Sequence, residues 1–170
     1  MDDRLLQQEY NRTVFVDMDG VLVDFEKGIQ NITGRGLSNI QDAELWAAIE
    51  AHGKARFFGE LPWISGGKEL WRFVIENFLR VKILSSLGKV HTNKQAAQGK
   101  LQWLRHNIPN LHSDDIILVS NKHDKKRYCK LGYIIIDDTP VIIEEWDSKG
   151  GIGILHRTAA ETISKLKKYV

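Results

Sequence analysis

Five short apolar runs recur along the chain, at Thr13 to Asp17, Val81 to Ser85, Asp115 to Ser120, Tyr133 to Asp137 and Ile152 to His156. Runs this short, rich in Val and Ile and bounded by turn residues, predict buried strands. Between them the period lengthens. Lys68 to Leu79 puts Leu70, Phe73, Val74 and Phe78 on one stripe, and Gln95 to His106 does the same with Ala97, Leu101 and Leu104. Both predict amphipathic helices. Thr139 stands as the cap of a further helix with Pro140 in its first turn. Thr158 to Tyr169 predicts a closing helix whose C-terminal lysines suit the helix dipole. Strands alternating with helices predict an α/β fold, a parallel sheet covered on both faces.

One stretch breaks the alternation. About sixty residues separate the first two strands, far more than one crossover helix needs. Within it, Phe25 to Thr33 and Asp42 to His52 predict helices, the second stopped by Gly53. The following Phe57-Phe58-Gly-Glu-Leu61-Pro62-Trp63-Ile64-Ser-Gly-Gly is aromatic and apolar without a period. The expectation is a single domain over residues 1–170, with a small helical cap of about residues 26–66 inserted after the first strand. Segments that close over strand ends exclude water and carry specificity. The aromatics would serve there or simply pack the cap onto the body.

Composition narrows the function classes. At 170 residues, 42% hydrophobic and 27% charged, the chain is ordinary for one globular domain. A net charge of +2 is too small to argue for nucleic acid or anionic membrane as an obligatory partner, and neither is expected. The one basic stretch, Lys122 to Lys130, reads as a solvated face or a local anion site. Cys129 is the only cysteine, so no internal disulfide forms and a reducing cytoplasm is expected. Residues 1–4 do not read as a secretory leader, and no apolar run approaches a membrane span. The six histidines lack the spacing of a zinc site.

The chemistry lies in four carboxylates. Asp17 and Asp19 close the first apolar run in Val-Phe-Val-Asp-Met-Asp-Gly-Val-Leu, and Asp137 and Asp138 end Tyr-Ile-Ile-Ile-Asp-Asp-Thr-Pro. In an open parallel sheet the strand C-termini converge on one crevice, where ligands bind. Acids gathered there repel one another unless a cation is shared, and a hard, oxygen-seeking ion such as Mg2+ suits them. The pattern points to metal-assisted phosphoryl chemistry.

The ordered set Asp17-x-Asp19-Gly20-Val21, a small hydroxyl residue after the second strand (Ser85 and Ser86), a lysine, and the Asp137-Asp138 pair resembles the haloacid dehalogenase-type phosphatases from Thr13 to His156. The resemblance implies a Rossmann-like three-layer fold. It implies that Asp17 attacks phosphorus to form an aspartyl-phosphate. Asp19 would protonate the leaving alkoxide and later activate water. Mg2+ would be held by the Asp17 carboxylate, the Asp19 backbone carbonyl and an acid of the second pair, Asp138 in preference to Asp137. Ser85, with Ser86 beside it, would hold a phosphate oxygen. The lysine stays open between Lys125, twelve residues before Asp137, and Lys100, with Lys122 and Lys126 as neighbours.

Within that superfamily the chain resembles the 5′(3′)-deoxyribonucleotidases and their phage and bacterial relatives. Asp-Met-Asp-Gly-Val-Leu-Val-Asp-Phe, Phe57-Phe58-x-x-Leu61 and Gly-Lys100-x-x-Trp103 carry this likeness. In that family an aromatic eight residues after the nucleophile stacks on the base, and Phe25 stands there; Phe57 and Phe58 are further pocket candidates. The second motif departs from the animal enzymes, reading Ser-Ser-Leu-Gly, and the cap is shorter. The resemblance implies a small-molecule phosphate monoester as partner, a nucleotide by preference. Another small ester, a nucleic-acid 3′-phosphate or a non-catalytic binding domain are the alternatives. A homodimer stays open, because apolar cap residues could serve a second copy as well as a substrate.

Overall fold

The computed structural model describes residues 12–88 and 93–170, so the reading of residues 1–4 as lacking a leader falls outside the described residues. Five strands form one sheet: β1 (Thr13–Val16), β2 (Arg80–Ser86), β3 (Ile116–Val119), β4 (Ile134–Asp137) and β5 (Ile152–Leu155). Their order is β3-β2-β1-β4-β5 and every neighbouring pair is parallel. This is the α/β architecture the sequence predicts.

Why these runs become strands is visible in the pleat. Val14 and Val16 face one core with Ile83, Ile134 and Ile136, while Phe15 faces a second with Leu84, Ile135, Ile142 and Trp146. Successive side chains point to opposite faces, so a strand covered on both sides is apolar through its centre. The first chargeable side chain after β1 is Asp17, whose N–H still donates to the Ile136 carbonyl at 3.0 Å. Each fully buried Val, Ile or Phe here contributes about 1.5–3 kcal/mol, which makes the position of the strand ends hard to shift.

The first face is covered by α4 (Gly67–Asn77), α5 (Asn93–Asn107) and α7 (Ala159–Leu166), and the second by α6 (Pro140–Asp147). Two predicted stripes need correction. In α4 the buried residues are Gly67, Leu70, Trp71 and Val74; Phe73 is half-buried, and Phe78 lies past the helix in extended backbone. In α5 they are Ala96, Gly99, Lys100, Trp103 and Leu104, with Ala97 and Leu101 half-buried. A buried lysine on the core side disguised the true stripe. The closing helix ends at Leu166 and tightens into a 3-10 turn over Lys167–Tyr169.

Between β1 and β2 lie α1 (Phe25–Thr33), α2 (Asp42–His52) and α3 (Lys54–Gly59). The aromatic stretch expected to be irregular thus begins inside a helix. Local pattern could not reveal α3, because it is short and held by tertiary contact: a Cβ on Gly99 would overlap the Ala55 carbonyl oxygen and Phe58 Cβ. Trp103 Nε1 donates to the Leu61 carbonyl at 2.7 Å. The insertion's two ends are also tied together, Asp24 N–H donating to Pro62 O at 2.9 Å and Ile64 N–H to Leu22 O at 2.8 Å. Among the described residues no helix is long and apolar enough to cross a membrane.

Candidate active site

Parallel pairing delivers four strand ends to one edge of the sheet, and the chain places a polar residue at each. Asp17 and Asp19 follow β1, Ser85 and Ser86 end β2, Asp137 and Asp138 finish β4, and His156 follows β5. Gly20 makes the first turn workable. Its φ is +78°, and a Cβ there would collide with the Asp138 carboxylate. Glycine is thus needed both for the left-handed backbone and for the close approach of the two acidic loops.

Two buried lysines organise the acids. Lys125 Nζ lies 3.0 Å from Asp17 Oδ1 and 2.6 Å from Asp137 Oδ2. Burial alone would lower its pKa, but the charges of Asp17 and Asp137 outweigh that and push it up to about 12. Lys100 Nζ donates to Asp19 Oδ2 at 2.7 Å, to Ser85 Oγ at 2.9 Å and to the Ser86 carbonyl at 2.9 Å. Both lysines are at most 3% exposed. The sequence left open which of them is the motif lysine and allowed both to contribute; the fold brings both to the acids. The basic stretch Lys122 to Lys130 is therefore not wholly a solvated face, since its 3-10 segment Lys122–Tyr128 turns Lys125 inward.

The second acid pair is divided in its bonding. Asp137 is fully buried and both its oxygens are engaged, Oδ2 by Lys125 and Oδ1 by the Thr139 N–H at 2.9 Å. Burial and the nearby Asp17 charge raise its pKa, with Lys125 and Thr139 opposing. The Asp138 carboxylate accepts from the Thr139 hydroxyl at 3.3 Å, the one side-chain bond to it among the described residues. Burial, then the charges of Asp17 and Asp137, push it up to about 6. Thr139 occupies the N-cap position of α6 without a side-chain capping bond.

Oxygens of Asp17, Asp137 and Asp138 lie within 4.8 Å of one another. An all-carboxylate set with one underbonded, proton-hungry member fits a hard divalent cation. Asp19 stands apart from that cluster, its carboxylate turned to Lys100.

Asp17, Asp19 and Asp138 line a cavity of about 600 Å³ whose walls also include Phe25, Phe58, Lys100, Lys125 and Ser86, whereas Asp137 and Ser85 are buried and not on its wall. Of the expected pocket aromatics, Phe57 is not on the wall. It packs behind, edge-on to Phe25 at 5.5 Å and to Phe58 at 5.3 Å between ring centroids. Sequence reasoning missed Leu37, Trp46, His156 and Arg157, which also line the cavity. Trp46 carried a usable signal: it sits off the Leu45–Ile49 stripe that buries α2, and is 37% exposed. A larger groove, about 880 Å³, opens at the other end of the sheet among Phe15, Trp71, Phe78 and Tyr128. Its one acid among the described residues, Asp115, is paired with Lys82, so it carries no comparable chemistry.

Comparison with known proteins adds a family and a fold. Residues 11–163 match the family described as 5′ nucleotidase, deoxy (Pyrimidine), cytosolic type C protein. No curated protein matches the chain by sequence. Among solved structures, a hydrolase from Streptococcus pneumoniae TIGR4 superposes with a TM-score of 0.56 at 16% identity, covering 93% of this chain and 99% of its own. A haloacid dehalogenase-like family protein from Streptococcus pneumoniae gives 0.52 at 15% identity, covering 91% and 98%. At such identities the likeness speaks for the fold alone.

Proposed function

The chain belongs to the family of 5′ nucleotidase, deoxy (pyrimidine), cytosolic type C proteins, which are Mg2+-dependent haloacid dehalogenase-type phosphatases, and on that premise we propose that it hydrolyses deoxyribonucleoside monophosphates through an aspartyl-phosphate on Asp17. It is a phosphoric monoester hydrolase; the nucleotide and the covalent route are the proposed parts. The observation that carries the proposal is the meeting of Asp17, Asp19, Asp138 and both buried lysines on one cavity with an aromatic wall.

In this reading an Asp17 oxygen forms a bond to phosphorus as the bond to the nucleoside oxygen breaks. Asp19, protonated, gives its proton to that leaving oxygen. The resulting Asp19 carboxylate then takes a proton from water, whose oxygen attacks phosphorus and releases phosphate and free Asp17. Lys100, whose three N–H groups go to Asp19, Ser85 and the Ser86 carbonyl, steadies Asp19 and sets positive charge beside the phosphate, and the Ser86 hydroxyl on the cavity wall offers a donor to a phosphate oxygen; Lys125 balances charge on Asp17. Mg2+, when bound, would be held by Asp17, Asp138 and the Asp19 carbonyl and supplies charge neutralisation at the phosphoryl group. Asp137, saturated by Lys125 and Thr139, orients its neighbours rather than coordinating directly.

Residues of about 26–66 act in this reading as a cap. Phe25 and Phe58 present apolar ring surface to a base, supported from behind by Phe57. The unpaired Cys129 and the family's cytosolic description support a cytoplasmic setting.

The test is phosphate release from a panel of deoxy- and ribonucleoside 5′- and 3′-monophosphates, with p-nitrophenyl phosphate as generic ester, in Mg2+ and in EDTA. The expected result is metal-dependent release concentrated on deoxyribonucleotides. Release from the generic ester alone would overturn the nucleotide assignment.

A further inference from the structure

Lys125 is delivered by an unusual support. The 3-10 segment Lys122–Tyr128 is seven residues long, and Lys125 is its one buried side chain. Such segments rarely exceed three or four residues, because their hydrogen bonds are strained. With no apolar face of its own, this one needs an external anchor to fix its rotation about its axis.

Glu145 provides the contact. Its Oε1 accepts from His123 Nδ1 at 2.8 Å and from Lys126 Nζ at 3.4 Å. In a 3-10 helix side chains at i and i+3 eclipse, so His123 and Lys126 share one face and Lys125 leaves roughly a third of a turn away. Gripping that face sets the direction of Lys125. Glu145 itself is on α6, beside Trp146, which is fully buried and donates from Nε1 to the Tyr133 carbonyl at 2.8 Å. The same helix begins directly after Asp137 and Asp138. One carboxylate thus ties the carrier of Lys125 to the element that follows its partner Asp137.

The other oxygen, Glu145 Oε2, is buried with no hydrogen-bond partner among the described residues. A half-satisfied carboxylate is a poor way to stabilise a fold, and an apolar side chain of the same length would fit the position without that cost. Burial raises the Glu145 pKa, but the hydrogen bond and charge of His123, helped by Lys126, outweigh it, so the group stays ionised.

We infer that Glu145 is a positioning residue, holding the face of the 3-10 segment formed by His123 and Lys126 so that Lys125 reaches Asp17 and Asp137. The inference rests on the proposed role of Lys125 in the site above. Its test is Glu145→Met in the full chain, with p-nitrophenyl phosphate and Mg2+ for kinetics and thermal unfolding for stability. Misplacing a group by an ångström can cost up to about a hundredfold, so kcat should fall about ten- to hundredfold while Tm is unchanged or higher. Glu145→Gln, which keeps an acceptor oxygen, should return kcat to within about threefold of wild type. A merely structural role would instead lower Tm together with kcat.

The double variant His123→Ala, Lys126→Ala severs the same link from the exposed side and should lower kcat by a similar factor. Wild-type kcat in that double variant, or a fall in kcat that only tracks a fall in Tm, overturns the inference. Lys125→Met separates the two readings. If it keeps full turnover, the site assignment fails and the inference with it. If it is inactive while Glu145→Met is fully active, the positioning role alone fails.

Discussion

Lys100 Nζ meets Asp19 Oδ2 at 2.7 Å across eighty-one residues of sequence. The lysine comes from the buried side of α5, 2% exposed, whereas the Asp19 side chain is 35% exposed. Removing the lysine therefore leaves an acid that water can still reach, so the fold should tolerate the loss better than the chemistry. Lys100→Met is expected to lower kcat by at least about a hundredfold while costing about 1–3 kcal/mol of stability, because the buried Ser85 hydroxyl loses its partner. Steady-state kinetics beside urea unfolding check this, and wild-type kcat would remove Lys100 from the site.

Phe25 and Phe57 touch each other yet should fail differently. Phe25 is half-buried on the cavity wall; Phe57 is 2% exposed and packs behind it. Stacking on a base is worth about 1–3 kcal/mol, so Phe25→Ala should weaken kcat/KM for a deoxyribonucleotide by about ten- to hundredfold and spare p-nitrophenyl phosphate. Phe57→Ala should instead cost about 3–5 kcal/mol of stability. Equal losses on both esters in Phe25→Ala would end its base-stacking role.

The sheet was legible because each strand centres on Ile, Val or Leu, with charge only at Arg80 and Lys82 early in β2 and at Asp137 closing β4, and the acids were legible because they end such runs. Lys100 and Lys125 could not be ranked from spacing. One is on α5 and the other on a 3-10 segment, and only parallel pairing brings both to the end of β1. The insertion was less readable for a physical reason. Helix α3 exists through its contact with Gly99 and Leu61's bond to Trp103, long-range partners that no window around Phe57 contains. In α5 the code was inverted: the stripe facing the core includes a charged residue because the core there opens into the cavity.

Gly20 gives a sharp test of the junction between the two acidic loops. Alanine there meets an unfavourable left-handed backbone and the Asp138 carboxylate together. Gly20→Ala should cost about 1–3 kcal/mol and weaken Mg2+ binding, because Asp138 must move. Urea unfolding in EDTA and Mg2+ titration calorimetry read the two effects separately; unchanged Mg2+ affinity would mean that Asp138 does not ligate.

Cys129 reports on the seating of the segment that carries Lys125. It follows Tyr128 directly, and its Sγ donates to the Trp146 carbonyl at 3.4 Å, so it lies where that segment meets α6. Burial pushes the thiol pKa up, more than the hydrogen bond from Gly151 and the Lys149 charge bring it down. Only the thiolate reacts with alkylating reagents, so iodoacetamide at pH 8 should label native Cys129 more slowly than a free thiol. Urea should restore the free rate. Because the same contact reports whether the 3-10 segment is docked, Glu145→Met should speed labelling under native conditions without lowering Tm. Fast labelling of the wild-type protein would show the segment already loose, and the rigid delivery of Lys125 would have to be abandoned.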